Sequence, residues 1–215
     1  AKEGAEDVVH FTISSGLSPT VTVAQKAAAD VKKQYPKFNV YAVDSLSATI
    51  GQGALVRAAL RLRDEGKSAE EAVQYVNALR FKIQYMIAAN DLNYLRRGGR
   101  VSSAAAVAGT VLGIKPILTF SHDGKLIVAD KVRGMKRAFA LAFEKMEKYP
   151  PSHDHGFFWI VHTDAQEDAE YLAGMVQEKF GVRPDVSIMG PVIGSHVGPG
   201  AVAIIWKSDK DRDDG

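Results

Sequence analysis

Apolar, β-branched runs alternate with segments of helical spacing along the first third of the chain. The predicted strands are residues 8–13 and 38–43, and the predicted helices are residues 18–34, 47–64 and 69–79. Strands that alternate with helices form a parallel sheet covered by the helices, so the first strand is expected to be buried. Because two strands are few for such a sheet, we interpret residues 1–80 as the later part of an α/β domain.

Serines at the predicted helix starts are suited to capping. Ser18 is predicted to cap the first helix, and Ser45 or Ser47 the second. Ser68, with Glu71 three residues later, has the pattern of a capping box for the third helix. The chain is therefore expected to pass from strand to helix through serine-rich turns.

From residue 81 onward the pattern changes to more frequent strands. The predicted strands are 81–89, 114–120, 125–134, 156–162, 185–190 and 201–207, and the predicted helices are 91–96, 102–111, 134–148 and 165–180. Asp123 and Gly124 favour a tight antiparallel connection. Six strands with interspersed helices suffice for a second α/β domain over residues 81–208. Residues 209–215 are charged without apolar periodicity and are predicted to form a flexible tail.

The first candidate site is the turn between the first strand and the first helix. Ser14, Ser15 and Ser18 lie in this turn, next to the free backbone amides of a helix start. Hydroxyls, amides and the helix dipole together favour an anion. The alternative is that Ser18 only caps the helix.

The second candidate site is the glycine-rich stretch GPVIGSHVGPGA at residues 190–201. Its four glycines and two prolines argue against the interior of a helix or strand. Gly194 and its neighbours would let the backbone approach a ligand, and Ser195 and His196 supply polar side chains that suit a carboxylate or phosphate. The alternative is a loop histidine bonded to a neighbouring carbonyl.

Two basic clusters form the third candidate. Arg97 and Arg100 flank Gly98-Gly99, which are predicted to end one helix before Ser102 or Ser103 begins another. Arg133 belongs to a second cluster after the predicted hairpin. These arginines suit a phosphate or an acidic partner, or alternatively face water.

Composition excludes several classes of function. The small net charge of +2 argues against general nucleic-acid binding, and the basic clusters lack the aromatic interleaving expected of a single-strand binder. The chain lacks cysteine, a membrane-spanning apolar run and a signal-peptide layout, which indicates a cytoplasmic protein. His153 and His155 lack a third metal ligand nearby. A triad of Ser15, His196 and Asp44 is formally available, which leaves a serine esterase or phosphatase as the alternative function.

Five motifs in order resemble the DegV family of bacterial fatty-acid-binding proteins over about residues 8–206. They are ISSGLS, VDSLSATIGQG, LNYLRRGGRVSSAAAVAGTVLGIKPILTFSHDGKL, KVRG and GPVIGSHVGPGA. The resemblance implies two α/β domains and an apolar tunnel that holds one long-chain fatty acid. Members of the family usually have a further strand and a threonine-aspartate-serine turn before the position that corresponds to residue 1, so this chain is either cut from a longer protein or a shortened member.

The resemblance further implies the binding subunit of a bacterial fatty acid kinase. Such a subunit is not itself catalytic, needs no metal or cofactor beyond its fatty acid, and presents the acyl carboxylate to an ATP-using subunit that forms acyl phosphate. The carboxylate contacts of the family correspond to Ser14, Ser15 and His196, with the backbone of both glycine-rich turns nearby. Arg97, Arg133 and their neighbours would face the kinase subunit or the phosphorylated product.

Overall fold

The computed structural model describes residues 6–101, 113–152 and 158–213, and the chain divides into two compact units. Unit 1 comprises Ala1–Phe81 with His122–Lys125, and unit 2 comprises Lys82–Ser121 with Leu126–Gly215. A two-stranded parallel sheet belongs to unit 1 and a six-stranded mixed sheet to unit 2. The predicted fold class is confirmed, since a parallel α/β unit is followed by an α/β unit with a six-stranded sheet.

Unit 1 has two strands and three helices. They are β1 (Asp7–Thr12), α1 (Thr20–Gln34), β2 (Asn39–Asp44), α2 (Thr49–Asp64) and α3 (Ala69–Leu79). The two strands are parallel and in register from the pair Asp7 and Asn39 to the pair Thr12 and Asp44. Both strands therefore end at the same edge of the sheet, where the serine-rich turns begin.

Burial of the first strand was predicted wrongly. Val8 is 40% exposed, and Thr12 is the buried residue of β1. The physical reason is that β1 pairs only with β2 in the described chain, so its other edge is open and its side chains are less covered than those of a central strand.

Two of the three predicted helix caps are also wrong. Pro19 occupies the cap position of α1 and Ala48 that of α2, and neither helix has a side-chain cap. The hydroxyl of Ser18 instead lies 2.7 Å from that of Thr20. The capping box of α3 is confirmed: Ser68 and Glu71 each accept the other's backbone N–H.

The segment His122–Lys125 joins unit 1 through contacts that are distant in sequence. The rings of Phe81 and His122 stack with centroids 4.4 Å apart, and the Ser14 hydroxyl donates to the carbonyl of Gly124. The predicted antiparallel hairpin around this turn is confirmed, since β4 (Ile114–Phe120) pairs antiparallel with β5 (Leu126–Arg133).

Besides β4 and β5, unit 2 contains β3 (Ile83–Ala88), α4 (Asn93–Arg97), α5 (Met135–Lys148), β6 (Phe158–Thr163), α6 (Gln166–Phe180), β7 (Asp185–Ile188), α7 (Pro191–Val197) and β8 (Ala201–Lys207). The six strands form one sheet in the order β5-β4-β3-β8-β6-β7. All strand pairs are antiparallel except β6 with β7. The core packs α5 and α6 against the sheet around Trp206, Phe139 and Leu172, all fully buried.

Helix α7 was not predicted, because glycine and proline are unfavourable inside a helix. Pro191 stands at the start of the helix, where it lacks only an N–H that needs no partner. The N–H of Gly194 donates to the Gly190 carbonyl at 2.8 Å, so this glycine is helical. Gly198, with φ of +81°, ends the helix. Pro191 and Gly198 thus stand at the two ends of the helix, where proline and glycine are tolerated.

The described part of the predicted tail, residues 209–213, is not frayed. Arg212 is 4% exposed, and it donates from Nε to Ser121 O at 3.0 Å and from a terminal nitrogen to Ile83 O at 3.3 Å. Asp213 forms an ion pair of 2.8 Å with Lys148. The charged segment is held by hydrogen bonds to buried carbonyls. Apolar periodicity, on which the prediction of a tail was based, does not report such hydrogen bonds. The predicted helix at 102–111 lies outside the described residues.

Candidate functional site

Ser14 is the centre of the turn that follows β1. Its N–H donates to Ser47 O at 2.8 Å, and its hydroxyl donates to Gly124 O at 2.6 Å. The same hydroxyl oxygen accepts the N–H of Gly16 at 3.1 Å, and the Ser14 carbonyl accepts the N–H of Ser18 at 3.1 Å. Ser14 is fully buried. Its side chain therefore joins separate segments of unit 1.

Two glycines make this close approach possible. Gly124 has φ of +77°, and a Cβ atom there would overlap the Ser14 hydroxyl. A Cβ atom at Gly16 would lie 2.6 Å from the carbonyl carbon of Gly124. Real Cβ atoms do not come so close, so the turn requires glycine at both positions.

Ser15, unlike Ser14, is exposed. Its N–H donates to Asp44 Oδ1 at 3.1 Å, and the same carboxylate oxygen accepts the N–H of Leu46 at 3.0 Å. Within the described residues the Ser15 hydroxyl makes no hydrogen bond. Asp44 thus binds the turns after β1 and β2 together and leaves the Ser15 hydroxyl available to a ligand.

The turn after β2 is strained and buried, and sequence reasoning took its serines only for helix caps. Leu46 and Thr49 have φ of 47° and 51°, a conformation that costs non-glycine residues about 1–3 kcal/mol and is concentrated at functional sites. Ser45 and Ser47 are both fully buried. The Ser47 hydroxyl has no hydrogen-bond partner among the described residues. A polar turn directly after a parallel strand was the signal that could have identified it.

Arg80 is a further residue that the sequence did not single out. One terminal nitrogen donates to the backbone carbonyl of Asp44 at 2.8 Å. Burial lowers the pKa of the Arg80 guanidinium, and the negative charge of Asp44 opposes that shift. The guanidinium therefore places a positive charge beneath the turn after β2.

In unit 2 the glycine-rich stretch packs against the segment that carries α4. A Cβ atom at Gly98 would overlap Nδ1 of His196, and one at Gly198 would overlap the ring of Tyr94. Two residue pairs of the two predicted motifs thus meet within van der Waals distance: Gly98 with His196, and Gly198 with Tyr94. Sequence spacing alone did not predict these contacts, because the paired residues are about a hundred positions apart in the chain.

His196 lies in the last turn of α7 and is half-buried, which differs from the predicted loop histidine. Ser195 is exposed, and its hydroxyl donates back to Val192 O at 2.8 Å. Gly194 lies one turn before Gly198, whose N–H it accepts at 2.8 Å. The imidazole of His196 is therefore the polar group that this helix directs toward α4.

The predicted arginines differ in their surroundings. Arg97 is exposed and stacks on Tyr94, with its guanidinium carbon 4.6 Å from the ring centroid. Arg100 donates to Gly98 O at 2.5 Å. Both thus border the glycine that contacts His196. Arg133 is exposed at the end of β5, opposite Ile114.

The observed role of Asp44 in unit 1 is structural. Its Oδ1 accepts two backbone N–H groups, whereas the carboxylate of a catalytic triad is defined by accepting the N–H of an imidazole. Among the described residues, no group of three or more histidines or carboxylates is placed to hold a metal ion. His153 and His155 lie outside those residues. In the same part of the chain, no helix combines the length and apolar character needed to cross a membrane.

These features define a class of α/β protein with two units. Its motif residues present hydroxyl, amide and imidazole groups at turns where glycine permits close packing. The chain belongs to the DegV family, since the family model described as "Uncharacterised protein, DegV family" matches residues 1–209. A DegV domain-containing protein of Clostridium perfringens is 35% identical over 204 residues, covering 94% of this chain and 70% of that protein.

Two solved structures resemble the whole described fold. The fatty acid binding DegV family protein of Streptococcus agalactiae is 34% identical with a TM-score of 0.81, covering 97% of this chain and 72% of that one. The Streptococcus pneumoniae fatty acid kinase (Fak) B3 protein, loaded with linoleic acid, is 24% identical with a TM-score of 0.83, covering 96% and 73%. The first shares fold and sequence with this chain, and the second shares the fold.

Proposed function

We propose that this protein binds one long-chain fatty acid through its carboxylate. The observation that carries the proposal is the DegV membership together with a fatty-acid-binding relative at 34% identity. The turn of unit 1 supports it, because an exposed serine hydroxyl there makes no hydrogen bond within the described residues.

The proposed carboxylate donors are the Ser15 hydroxyl and the His196 imidazole. Ser14 positions the first turn, since its own hydroxyl is buried and engaged with Gly124. Ser18 contributes to the same turn. Gly194 and Ser195 hold His196 on α7. A carboxylate removed from water needs such partners, because an unpaired buried charge costs several kcal/mol.

Hydrophobic burial supplies the binding energy in this proposal. Each methylene removed from water contributes about 0.8 kcal/mol, so a long acyl chain requires only a continuous apolar wall. The proposed tunnel uses the apolar segment around residues 104–114, most of which lies outside the described residues. The donors then select an acid over an ester or alcohol.

We further propose that the protein presents the carboxylate to the ATP-binding subunit of a fatty acid kinase. A carboxylate oxygen attacks the γ-phosphorus of ATP, an acyl phosphate forms and ADP leaves. The partner supplies the catalysis, and this chain holds and orients the acid. Arg97, Arg100 and Arg133 are proposed to meet the partner or the new phosphate, since guanidinium groups suit phosphate oxygens.

Native mass spectrometry of the purified protein with palmitate or oleate tests the first proposal. We expect one fatty acid per chain and weaker binding in Ser15→Ala and His196→Ala. Loss of one charge-assisted hydrogen bond lowers affinity roughly tenfold to a hundredfold. A protein that neither carries nor takes up a fatty acid would contradict the proposal. Steady hydrolysis of a chromogenic ester, abolished by Ser15→Ala, would replace it by the esterase alternative.

Gly98→Ala adds a test specific to the imidazole. The backbone of Gly98 is in the right-handed helical region, so alanine is conformationally allowed there, but its Cβ must displace His196. We expect weakened fatty-acid binding. Gly174→Ala is the matched control in the same unit, because its Cβ meets no atom and binding should be unchanged.

Reconstitution tests the kinase proposal separately. The fatty-acid-loaded protein is mixed with a fatty acid kinase ATP-binding subunit and ATP, and hydroxylamine traps any acyl phosphate as a hydroxamate. We expect product only when both proteins are present, and less product when Arg97 is replaced by alanine with fatty-acid affinity retained. Product formed by this chain alone would contradict its assignment as a non-catalytic subunit.

A further inference from the structure

Lys145 is a partly buried lysine in unit 2 to which the proposed function assigns no role. Its ammonium nitrogen donates to Tyr85 O at 3.0 Å and to Thr119 Oγ1 at 2.6 Å. The Thr119 hydroxyl itself donates to Tyr85 O at 3.0 Å. The side chain of Lys145 is therefore held at one place by two fixed acceptors.

The position of these acceptors follows from the sheet. Strands β3 and β4 pair only at two positions, Ile87 with Leu118 and Ala88 with Ile117. Beyond that point their backbones are not joined by a ladder, and Lys145 reaches from α5 to the carbonyl of Tyr85. The amine thus occupies the place where the ladder ends.

The bonding of Lys145 suits a neutral amine. A neutral amine has two N–H bonds and one lone pair, whereas an ammonium has three N–H bonds and none. Tyr85 O and Thr119 Oγ1 account for two N–H bonds. Loss of the third proton would leave both hydrogen bonds intact and expose a lone pair for nucleophilic attack.

A cavity of about 280 Å³ adjoins the amine. Its apolar wall includes Met86, Ile117 and Leu141. The charged or titratable groups that face this region are Asp130 on β5, Glu144, Lys148 and Tyr149 at the end of α5, and Arg212 and Asp213 in the C-terminal segment. Since a water molecule occupies about 30 Å³ of liquid, the cavity has room for a small acyl group.

The electrostatics of the site favour loss of that proton. Burial lowers the pKa of Lys145 to about 8, Asp213 partly opposes the shift, and Lys148 and Arg212 reinforce it. Lys148 is a natural comparison three residues further on, because its hydrogen bond to Asp213 raises its pKa. Near neutral pH a far larger fraction of Lys145 than of Lys148 is therefore the nucleophilic neutral amine.

We propose that Lys145 is a site of covalent acylation by small activated acyl compounds, such as short-chain acyl phosphates. The amine nitrogen attacks the carbonyl carbon and forms an amide bond. The bond from that carbon to the phosphate oxygen breaks, phosphate leaves with the electron pair, and the proton released from nitrogen passes to the phosphate. The short acyl group then lies in the cavity. This inference does not depend on the proposed fatty-acid function.

Competitive labelling of the wild-type protein tests the proposal without a variant. The protein is treated with limiting acetyl phosphate from about pH 6 to about pH 9, and peptide mass spectrometry gives the acetylation rate of each lysine. We expect Lys145 to react roughly tenfold faster than Lys148 near neutral pH, with a rate that levels off above its pKa. A rate at or below that of Lys148 would overturn the proposal.

Two further arms identify the cause of any fast reaction. Lys145→Arg should remove the fast acetylation, whereas Lys148→Arg should leave it. In the second arm a neutral acetyl thioester replaces acetyl phosphate. If Lys145 reacts faster than Lys148 with both reagents, the site selects the acyl group. If Lys145 reacts faster only with acetyl phosphate, the site selects the phosphate. Fast labelling that persists in Lys145→Arg would assign the reactivity to another residue and contradict the inference.

Discussion

At the scale of single residues, Ser14 and Ser15 have opposite roles although they are adjacent in sequence. The Ser14 hydroxyl is buried between Gly124 O and Gly16 N–H, and the Ser15 hydroxyl faces solvent. Leaving a buried polar group without its hydrogen-bond partner costs more free energy than leaving an exposed one. Replacement of Ser14 should therefore affect stability, and replacement of Ser15 should affect binding.

Ser14→Ala is predicted to destabilise the protein by about 1–3 kcal/mol, because the buried Gly124 carbonyl loses its donor. Ser15→Ala is the matched control and should change the free energy of unfolding by less than about 0.5 kcal/mol. Urea unfolding followed by circular dichroism measures both. Equal midpoints for Ser14→Ala and the wild type would show that the buried hydrogen bond is not required.

Sequence reasoning chose both serines but could not separate their roles. Their neighbours along the chain are alike, and the difference arises from Gly124, which is 110 residues away from Ser14. Likewise, the strained Ser45–Ser47 turn and Arg80 became candidates only when the strand ends were seen together. Contacts between distant residues decide which of several similar side chains is buried.

At the scale of secondary-structure elements, α3 shows how far local signals extend. The helix was predicted at 69–79 and is observed at Ala69–Leu79. Its capping box satisfies the first amides within one turn of chain. The starts of α1 and α2 were predicted less well, because Asp44 and the serine turns of the sheet edge hold the chain there instead of side-chain caps.

Ser68→Ala is predicted to lower the free energy of unfolding by about 1 kcal/mol, as loss of an N-cap usually does. Ser18→Ala is the control, because Ser18 was the predicted cap of α1 but makes no cap hydrogen bond. Thermal unfolding of the two variants gives the comparison. A larger effect for Ser18→Ala would reverse the assignment of caps.

The capping box of Ser68 and Glu71 also predicts that the stability of the protein depends on pH. The backbone N–H of Ser68 lowers the pKa of Glu71, and hydrogen bonds from Lys67 and the Ser68 hydroxyl add to this. A carboxyl group with a lowered folded pKa contributes stability above its unfolded pKa and loses it as pH falls through the folded value. Wild type should therefore lose more stability in acid than Glu71→Gln does. Parallel stability curves for the two proteins would contradict this expectation.

At the scale of the whole molecule, each unit has its own buried residues, and the C-terminal segment belongs to unit 2. Arg212 bonds two carbonyls of that unit, Ser121 O and Ile83 O, and Asp213 pairs with Lys148. The terminal residues are therefore part of the packing of unit 2 and should matter for its stability.

A chain that ends at Lys210 is predicted to have unit 2 destabilised by roughly 2–4 kcal/mol, because two charge-assisted hydrogen bonds to carbonyls are lost. A chain that ends at Asp213 is the control and keeps both bonds. Hydrogen exchange measured by mass spectrometry should show faster exchange in unit 2 peptides and unchanged exchange in α1–α3. Unchanged exchange in β3 would show that Arg212 does not support the sheet.

The sequence by itself determined the order and type of most described elements, the fold class and the family. Periodicity, turn residues and the capping box act over a few residues, and motif order is visible without coordinates. Tertiary structure decided that Ser14 is buried while Ser15 is exposed, that Gly98 meets His196 and that Arg212 is buried. Each of these depends on atoms that are distant in the chain, and hydrogen bonding and close packing between distant segments leave no local pattern in sequence.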